Sequence, residues 1–319
     1  MRPNIVVSCF QLKKNVYFCT LIAEQIQKKQ QMRKTGFFMA LLFAVAAVAC
    51  RGPRTGSVSD PGVPELVGEG ISRCEAAEGI VLYGIEDRAG EQAVDLFRGY
   101  DESLLNSIAA GQQAFRSAFN VYAAVGNGRT VLFDNGLGVK AGGTLLEKLA
   151  QIGIEPDEVD DICLTHLHFD HIGGLLTADG QAVFPQATLR LSEAECKGNA
   201  DNEPWQKVME AYGGRVDTFD SCGMLCDGLV QSIQAFGHTV GHTVYRVGRC
   251  LMVGDLLHAQ DLQLRHPAFC ARYDADPVQA QATRLRFFTL AADSNLYLCG
   301  AHCYERFIAP DTLYFCPIQ

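Results

Sequence analysis

Residues 165–171 read THLHFDH and place three of the chain's eight histidines, with one aspartate, within six positions. The segment follows the apolar run VDDIC, which predicts a buried strand. Side chains two residues apart in extended backbone point to the same side, so His166 and His168 can bind one metal ion. Asp170 and His171 come where the chain turns into a helix, and they can serve a second ion. The spacing therefore predicts ligands for two metal ions.

Two metal ions need further ligands, because zinc-like ions bind about four ligands each and often leave one position open for water. The remaining sequence supplies three such residues at the ends of predicted strands: His238 in GHTVGHT, Asp255 in LMVGD and His302 in LCGAH. Loops at strand ends are where α/β folds build their sites. Asp255 carries two carboxylate oxygens, so it can bridge both ions. His258 and His266 are predicted to be loop residues without such a role.

Apolar runs and turn residues predict a layered α/β fold in one domain. Asn127 and Gly128 are a strong hairpin signal between two strands. Helical spacing is present at 142–154 and 276–293, and the second segment has a proline near its first turn. Because the strands come in hairpin runs separated by helices, we expect mixed sheets rather than a doubly wound fold. The predicted strands are 79–85, two within 120–138, 159–165, 230–236, 243–247, 249–255 and 295–302.

The charge of the chain argues against nucleic acid as a partner. Residues 1–50 hold seven of the 27 Lys and Arg and one of the 36 Asp and Glu, which leaves residues 51–319 with a formal charge of −15. Binding to a phosphate backbone needs basic patches, for which this acidic body is poorly suited. We therefore expect a small-molecule substrate and no nucleic acid. The sequence does not indicate an oligomeric state.

The N-terminal region predicts export. The uncharged run FFMALLFAVAAVAC (37–50) is too short to span a bilayer and follows the basic segment MRK, which is typical of a signal peptide. Met32 is then a candidate start, with Met1 as the alternative. Under that interpretation residues 1–31 are an upstream extension, and residues 32–50 are a signal peptide or a lipoprotein signal.

The ending of that run, AVAC, resembles a bacterial lipoprotein cleavage box in which Cys50 is the lipidated residue. Lipidation would attach the protein to a membrane, whereas plain cleavage after small residues would release it into the periplasm. Residues 51–70 are rich in Gly, Pro and Ser and predict a flexible tether. The folded domain is expected to occupy residues 71–319.

Export would place the protein in an oxidising compartment, where cysteines form disulfides. Ten of the thirteen cysteines lie after Cys50, and we expect some of them to pair. Cys222 and Cys226 are close enough in sequence to bridge a tight loop. Cys299 and Cys303 flank the segment GAH. The sequence does not settle which cysteines pair. Cys163 lies in an apolar strand and is predicted to be a small buried residue.

The ordered set THLHFDH, GHTVGHT, VGD and GAH resembles the metallo-β-lactamase superfamily, whose signature is HxHxDH followed by these later ligands. The resemblance covers roughly residues 79–319 and implies a four-layer αβ/βα sandwich with the metals at one edge. It also implies that His242 and Asp134 orient the ligands, although a turn residue is the alternative for Asp134. The implied ligands are His166, His168 and His238 for one ion, Asp170, His171 and His302 for the other, and Asp255 between them.

A pair of metal ions defines the expected chemistry. Two ions about 3.5–4 Å apart can hold a bridging hydroxide at neutral pH and polarise the substrate's oxygen. We therefore predict direct attack of that hydroxide on a carbonyl or phosphoryl centre. Asp170 or Asp255 would shuttle the proton, which makes these two the predicted catalytic residues. Zinc is the expected metal, with manganese, cobalt and iron as alternatives.

The C-terminal third narrows the substrate class. The segments GDLLHAQDLQLRHPAF and YDADP resemble the corresponding segments of one branch of this superfamily. That branch contains methyl parathion hydrolase and quorum-quenching lactonases. That branch implies an exported hydrolase of a small apolar ester or lactone, such as an N-acyl homoserine lactone. The alternatives are a phosphotriesterase or phosphodiesterase, and a non-catalytic lipid-anchored binding protein. The aromatic candidates for pocket walls, each with core packing as its alternative, are Trp205, Phe269, Tyr304 and Phe307.

Overall fold

The computed structural model describes residues 62–98 and 101–313. The upstream extension, the signal segment, Cys50 and residues 51–61 of the predicted tether lie outside the described residues. Within the described ranges, no helix combines the length and the apolar character that crossing a membrane requires.

The described residues form fifteen strands, seven α-helices and five short 3-10 helices. The strands are β1 Glu65–Gly68, β2 Ile71–Ala77, β3 Ile80–Ala93, β4 Phe97–Arg98, β5 Ala114–Gly126, β6 Arg129–Phe133, β7 Asp161–Cys163, β8 Thr188–Ser192, β9 Val216–Phe219, β10 Gly223–Leu225, β11 Val230–Gln234, β12 Thr243–Val247, β13 Cys250–Gly254, β14 Cys270–Ala271 and β15 Tyr297–Gly300. The α-helices are α1 Glu102–Ala109, α2 Leu145–Gln151, α3 Phe169–Ile172, α4 Glu193–Gly198, α5 Glu203–Tyr212, α6 Gln260–Gln263 and α7 Pro277–Ser294. The 3-10 helices are Val94–Leu96, Val139–Ala141, Pro156–Glu158, Cys226–Gly228 and Pro310–Thr312.

The strands build two large sheets, both of mixed direction as the sequence predicts. The first has the order β1-β2-β3-β5-β6-β7-β8-β9, with antiparallel pairs from β1 to β6 and parallel pairs from β6 to β9. The second has the order β10-β11-β12-β13-β15, in which only β13 and β15 run parallel. A small ribbon pairs β4 with β14.

Alternation along the strands assigns the two faces of the first sheet to different cores. In β5, Val121 and Ala123 belong to the cluster that contains the apolar residues of α2 and α5. Their neighbours Tyr122 and Ala124 belong to a cluster that includes residues of both sheets. Because successive side chains of a strand point to opposite faces, helices cover one face of this sheet and the second sheet covers the other.

The second sheet repeats this arrangement on its own outer face. Val244 and Leu251 pack in a cluster with Phe287 and Phe288 of α7, whereas their neighbours face the first sheet. The layers are therefore helix, sheet, sheet and helix, which confirms the predicted four-layer αβ/βα sandwich.

The hairpin between β5 and β6 confirms the signal at Asn127 and Gly128. Both residues have positive φ, 54° and 72°, and Gly126 pairs with Arg129 across the turn. Two consecutive positive φ values define the turn that matches the right-handed twist of the strands, and Asn-Gly is the pair that adopts them most readily.

Two predicted boundaries are corrected by the structure. The tether expected over 51–70 ends early, because Glu65–Gly68 pairs with β2 at the edge of the first sheet. Leu66 is 69% exposed, so this edge strand has no buried face and no alternating pattern to reveal it. The helix expected over 142–154 spans only α2, because Gly142 has a positive φ of 80° and helical backbone starts after Thr144.

The cysteines after β1 are all free thiols in the described residues. Cys222 is exposed, whereas Cys226 is buried with its sulfur 3.9 Å from that of Cys163. The disulfide that the closeness of Cys222 and Cys226 in sequence would allow is therefore not formed in the described structure. Cys163 itself is fully buried between the sheets, as predicted.

Candidate metal centre

The structure brings together the seven side chains that the sequence singled out as metal ligands. They form two groups of four that share Asp255, and the ligand atoms within each group lie within 4.8 Å of one another. One group contains three histidines and the other contains a second carboxylate. The first group is His166, His168, His238 and Asp255; the second is Asp170, His171, His302 and Asp255.

The first group forms because the chain stays extended after β7. His168 has φ −69° and ψ 155°, so its side chain and that of His166 point the same way before α3 begins. The His166 Nε2 and His168 Nδ1 atoms are 3.0 Å apart. His238, in the loop after β11, brings its Nε2 to 3.1 Å from the same Nδ1. Three ring nitrogens thus converge on one point.

The outer nitrogen of three candidate ligand rings is already occupied, which fixes the orientation of those rings. His238 donates its Nδ1–H to Asp274, and His302 donates its own to the carbonyl of Ala118. His171 donates its Nδ1–H to Asp134 at 2.8 Å. A neutral ring that donates from Nδ1 presents the lone pair of Nε2 to the site, which is the tautomer that binds a metal.

Asp255 faces both groups with different oxygens. Its Oδ2 lies 3.3 Å from His238 Nε2 and 3.7 Å from His166 Nε2. Its Oδ1 lies 3.0 Å from His171 Nε2 and 3.3 Å from His302 Nε2. One carboxylate oxygen is therefore directed at each group.

Unpartnered buried atoms test whether this set fits metal ions. His171 Nε2 and Asp255 Oδ1 are 3.0 Å apart, and neither atom makes a hydrogen bond within the described residues. Buried polar atoms without partners are costly, so their convergence here fits a cation between them. Imidazole nitrogens and carboxylate oxygens are donors that divalent ions such as zinc accept.

Burial keeps the rings of His166 and His168 neutral, whereas in the third ring, His238, the opposing effect of Asp255 and Asp274 outweighs burial and raises the pKa. It lowers the pKa of His166 well below its usual value, and the neighbouring His171 adds to the shift. It lowers the pKa of His168 to about 4, reinforced by His238. Neutral imidazoles keep the lone pair that a metal ion needs.

Carboxylates dominate the second group. Burial alone would lower the pKa of His302, but Asp255 and a hydrogen bond to Asp170 raise it to about 10. Burial would raise the pKa of Asp255, but His302 and His171 hold it well below its usual range. Without a metal, protons on these histidines balance the buried carboxylates.

The two residues expected to orient ligands, Asp134 and His242, make hydrogen bonds to residues of the two ligand groups. Asp134 accepts hydrogen bonds from the Thr165 backbone N–H, the Thr165 hydroxyl and His171 Nδ1. His242 Nε2 accepts the backbone N–H of Asp255 at 3.2 Å. Burial, aided by His238, lowers the pKa of His242 to about 3, in keeping with this acceptor role.

Sequence reasoning missed three residues of the site. His258, predicted to be a loop residue, is buried with its Nε2 3.2 Å from Asp255 Oδ2. Asp274, in YDADP, orients His238, and Glu195 accepts the backbone N–H of Leu167 between two predicted ligands. A signal existed only for Asp274, which precedes the helix-capping Asp276 by two residues.

A cavity of about 530 Å³ opens onto both groups. Its wall mixes apolar side chains with carboxylates, and Phe169 and Tyr273 are 58% and 48% exposed there. The lining residues are Glu91, Gln92, Ala93, Leu96, Phe119, His168, Phe169, Asp170, Asp255, His258, Tyr273 and His302.

None of the four aromatic residues predicted to wall the pocket lines this cavity. Trp205 is fully buried between α5 and the first sheet, and Phe307 packs against the cluster between the sheets. Phe269 lies in a separate cluster with α1, beside another cavity. Tyr304 lies under the guanidinium of Arg116. The positions of these residues in the sequence carried no information about the direction of their side chains. Trp205, Phe269 and Phe307 pack in or against the apolar cores, which was the alternative prediction for each.

Comparison with known proteins agrees with this architecture. The family model of the metallo-beta-lactamase superfamily matches residues 117–302, more than half of the chain. Hydroxyacylglutathione hydrolase of Aeromonas hydrophila is 31% identical over 163 residues, which cover 50% of this chain and 53% of that protein. The match thus spans about half the length of this curated relative.

Solved structures share the fold. The hydrolase AbOPH of the beta lactamase superfamily has a TM-score of 0.67 at 24% identity, over 76% of this chain and 93% of that one. AidC, a dizinc quorum-quenching lactonase in complex with a product, has a TM-score of 0.67 at 23% identity, over 75% of this chain and 92% of its own. An N-acyl homoserine lactone hydrolase with N-hexanoyl-L-homoserine bound at its catalytic metal centre has a TM-score of 0.53 at 17% identity, over 70% of this chain and 93% of its own. At these identities the likeness extends to the fold alone.

Proposed function

The chain belongs to the metallo-beta-lactamase superfamily of metal-dependent hydrolases, and on that premise we propose that it uses two divalent ions to cleave a small, uncharged, largely apolar ester or lactone. The observation that carries the proposal is the position of Asp255. One of its oxygens faces His166 and His238, and the other faces His171 and His302. A single carboxylate placed in this way suits two adjacent ions.

At such a centre, different residues of the chain would transfer the proton and position the groups that react. Two bound ions would supply an activated water and polarise the scissile carbonyl. Asp170 is 23% exposed toward the cavity and Asp255 only 3%, so Asp170 is the better placed to move a proton to the leaving group. His302, 3.3 Å from Asp170 Oδ2, holds that carboxylate in position.

The charge of the cavity wall supports an uncharged substrate. Among the residues that line it are three carboxylates, of Glu91, Asp170 and Asp255, and no Lys or Arg. Asp170 and Asp255 would be compensated by the ions that they hold, which leaves Glu91 as the uncompensated carboxylate among the lining residues; it would repel an anionic substrate such as a glutathione thioester but not a neutral lactone. This distinguishes the proposed substrate from the one named in the Aeromonas relative.

Apolar rings at the mouth of the cavity support an acyl group on that substrate. Phe169 and Tyr273 expose large apolar surfaces beside the ligand groups, and Phe119 and Leu96 continue the wall. An acyl chain would bury these surfaces and gain about 25 cal/mol per Å². We therefore propose an N-acyl homoserine lactone or a similar acylated lactone.

A substrate panel tests the proposal. The purified full chain, depleted of metal and reloaded with zinc, manganese or cobalt, is assayed on acyl lactones, a glutathione thioester, a neutral phosphotriester and an anionic phosphodiester. We expect kcat/KM for a lactone to exceed that for the thioester by at least about 100-fold. Preference for the triester would make the protein a phosphotriesterase, and no turnover together with less than one metal per chain would favour a binding protein.

A charge reversal at the cavity sharpens this test. Glu91→Lys should raise kcat/KM for the anionic thioester relative to the lactone, because it adds a cation to an acidic wall. Glu69→Lys makes the same charge change at an exposed position outside the lining and should leave the ratio unchanged. An equal response of the two variants would argue against the electrostatic basis of the substrate assignment.

We also propose that the protein is exported and held at a membrane through Cys50, on the basis of the run at 37–50 alone. In cell fractionation the native chain should be found with the membranes, and Cys50→Ser should lose that location. A cytosolic native chain would contradict export, and an unchanged membrane location of the variant would contradict lipidation.

A further inference from the structure

We infer that Glu195, whose side chain makes its hydrogen bonds to residues other than the candidate metal ligands, sets the affinity of the three-histidine group alone by fixing the separation of the two loops that carry it. The inference rests on the dinuclear site proposed above. It makes Glu195 a positioning residue rather than a catalytic one.

Glu195 lies on α4 and is 1% exposed, yet both of its oxygens are used. Oε1 accepts the backbone N–H of Leu167 at 3.1 Å and the side-chain amide of Asn199 at 3.1 Å. Oε2 accepts the hydroxyl of Thr239 at 2.6 Å and the backbone N–H of Gly241 at 3.0 Å. One carboxylate therefore satisfies four donors in a buried setting.

The positions of those donors give the carboxylate its selectivity. Leu167 lies between His166 and His168, and Thr239 follows His238 directly. Glu195 Oε1 thus holds one ligand loop and Oε2 the other, so the distance between the loops depends on the span of one rigid group. No hydrogen bond from Glu195 reaches the loop of His302, whose Nδ1 is held by the carbonyl of Ala118, and His171, which follows the first loop, is held separately by Asp134.

Close packing confines the second loop to this position. A Cβ at Gly241 would lie 2.1 Å from the backbone nitrogen of Glu195 and 2.5 Å from its Cα. The Ser192 hydroxyl, at the start of α4, donates to the carbonyl of Gly241 at 2.7 Å. The loop therefore contacts the start of the helix at backbone distance, where only glycine fits.

The test replaces the carboxylate with an amide of the same shape. In Glu195→Gln the NH2 group faces at least one backbone N–H, of Leu167 or of Gly241, so one loop is pushed away from the helix. Glu193→Gln is the matched control, because Glu193 lies on the same helix, has a side chain that is 44% exposed and pairs with Lys197. Thr239→Val removes one of the four bonds and should give a smaller change in the same direction.

Zinc is titrated into the metal-free full chain against a competing chelator, and cobalt absorption identifies the site that fills. His238→Ala and His302→Ala supply reference spectra for loss of each group. We expect Glu195→Gln to weaken one site about 10–100-fold, with a spectrum like that of His238→Ala, and to leave the other site within about twofold. Glu193→Gln should match the wild type at both sites.

Two results would overturn the inference: unchanged affinity at both sites, or an equal loss at both sites with a lower melting temperature of the metal-free protein. The titration uses no substrate, so its outcome is separate from that of the substrate panel. A wild-type chain that binds both ions but hydrolyses none of the panel would refute the proposed function while the site-selective loss still supports the role of Glu195.

Discussion

The imidazole of His258 stacks on that of His302, with ring centroids 5.1 Å apart and planes inclined by 17°. His258 also lines the cavity, and its two ring nitrogens have no hydrogen-bond partner among the described residues. It is thus placed between the candidate ligands and the space that a substrate would occupy.

His258→Ala should lower kcat/KM by about 10-fold or more, because His302 loses the ring that packs against it and the cavity loses part of its wall. Metal content should stay at the wild-type value. Steady-state kinetics on the best lactone, with metal analysis, measure both. His266→Ala is the matched control, since His266 is the one histidine outside the cluster. Equal kinetics for the two variants would remove His258 from the site.

Asp255→Ala should abolish measurable turnover while leaving the far-UV circular dichroism unchanged. The variant removes the side chain that the two ligand groups of the described residues share, and loss of a single well-placed electrostatic group already costs about 10²–10³-fold in rate. Asp293→Ala, an exposed aspartate near the end of α7, controls for the loss of a carboxylate. Turnover of Asp255→Ala near the wild-type rate would refute the bridging role.

Metal binding at pH 7 should release protons, and affinity should rise with pH toward about 10. The pKa of His302 is raised to about 10 and that of His171 well above its usual value, so both rings are protonated in the metal-free protein at pH 7. A metal needs their unprotonated Nε2, so it competes with a proton below the raised pKa and not above it. Calorimetry in buffers of different ionisation enthalpy measures the release. Binding without proton release at pH 7 would contradict the prediction.

Arg284→Met should destabilise the fold by about 3–5 kcal/mol, or roughly 10 °C in melting temperature. Arg284 is fully buried, donates to the carbonyls of Pro267 and Phe269, and lies 3.4 Å from Asp274. Its removal leaves a buried carboxylate without its cation. Arg286→Met, at an exposed position of the same helix, should change the melting temperature far less. Thermal unfolding of the two variants measures both changes, and equal melting temperatures of the two variants would contradict the prediction.

The residues predicted from sequence share one property: their chemistry and their position at strand ends are both visible in the chain. His166, His238, Asp255 and His302 each follow a strand that apolar runs reveal, and parallel neighbours such as β13 and β15 end at the same edge. The structure brings these side chains together, and their role as metal ligands stays a prediction that metal analysis can test.

Residues that act through backbone contacts were not visible in the same way. Glu195 reaches Leu167 and Gly241 only because α4 lies against two loops that are distant in sequence. Nothing in the local pattern of SEAE separates this buried carboxylate from the half-exposed Glu193 two residues earlier. The prediction that four aromatic residues wall the pocket was wrong for the same reason, since the type of a residue does not indicate the direction of its side chain.

Sequence alone determined the fold class, the hairpin at Asn127 and Gly128 and the identity of the candidate ligands, because strand periodicity, turn chemistry and donor atoms are local properties of the chain. Only the tertiary structure decided which oxygen of Asp255 faces which group, that His258 joins the site, and that Glu195 holds two ligand loops together. These depend on distances between segments far apart in sequence, which are set by how the two sheets and their helices pack.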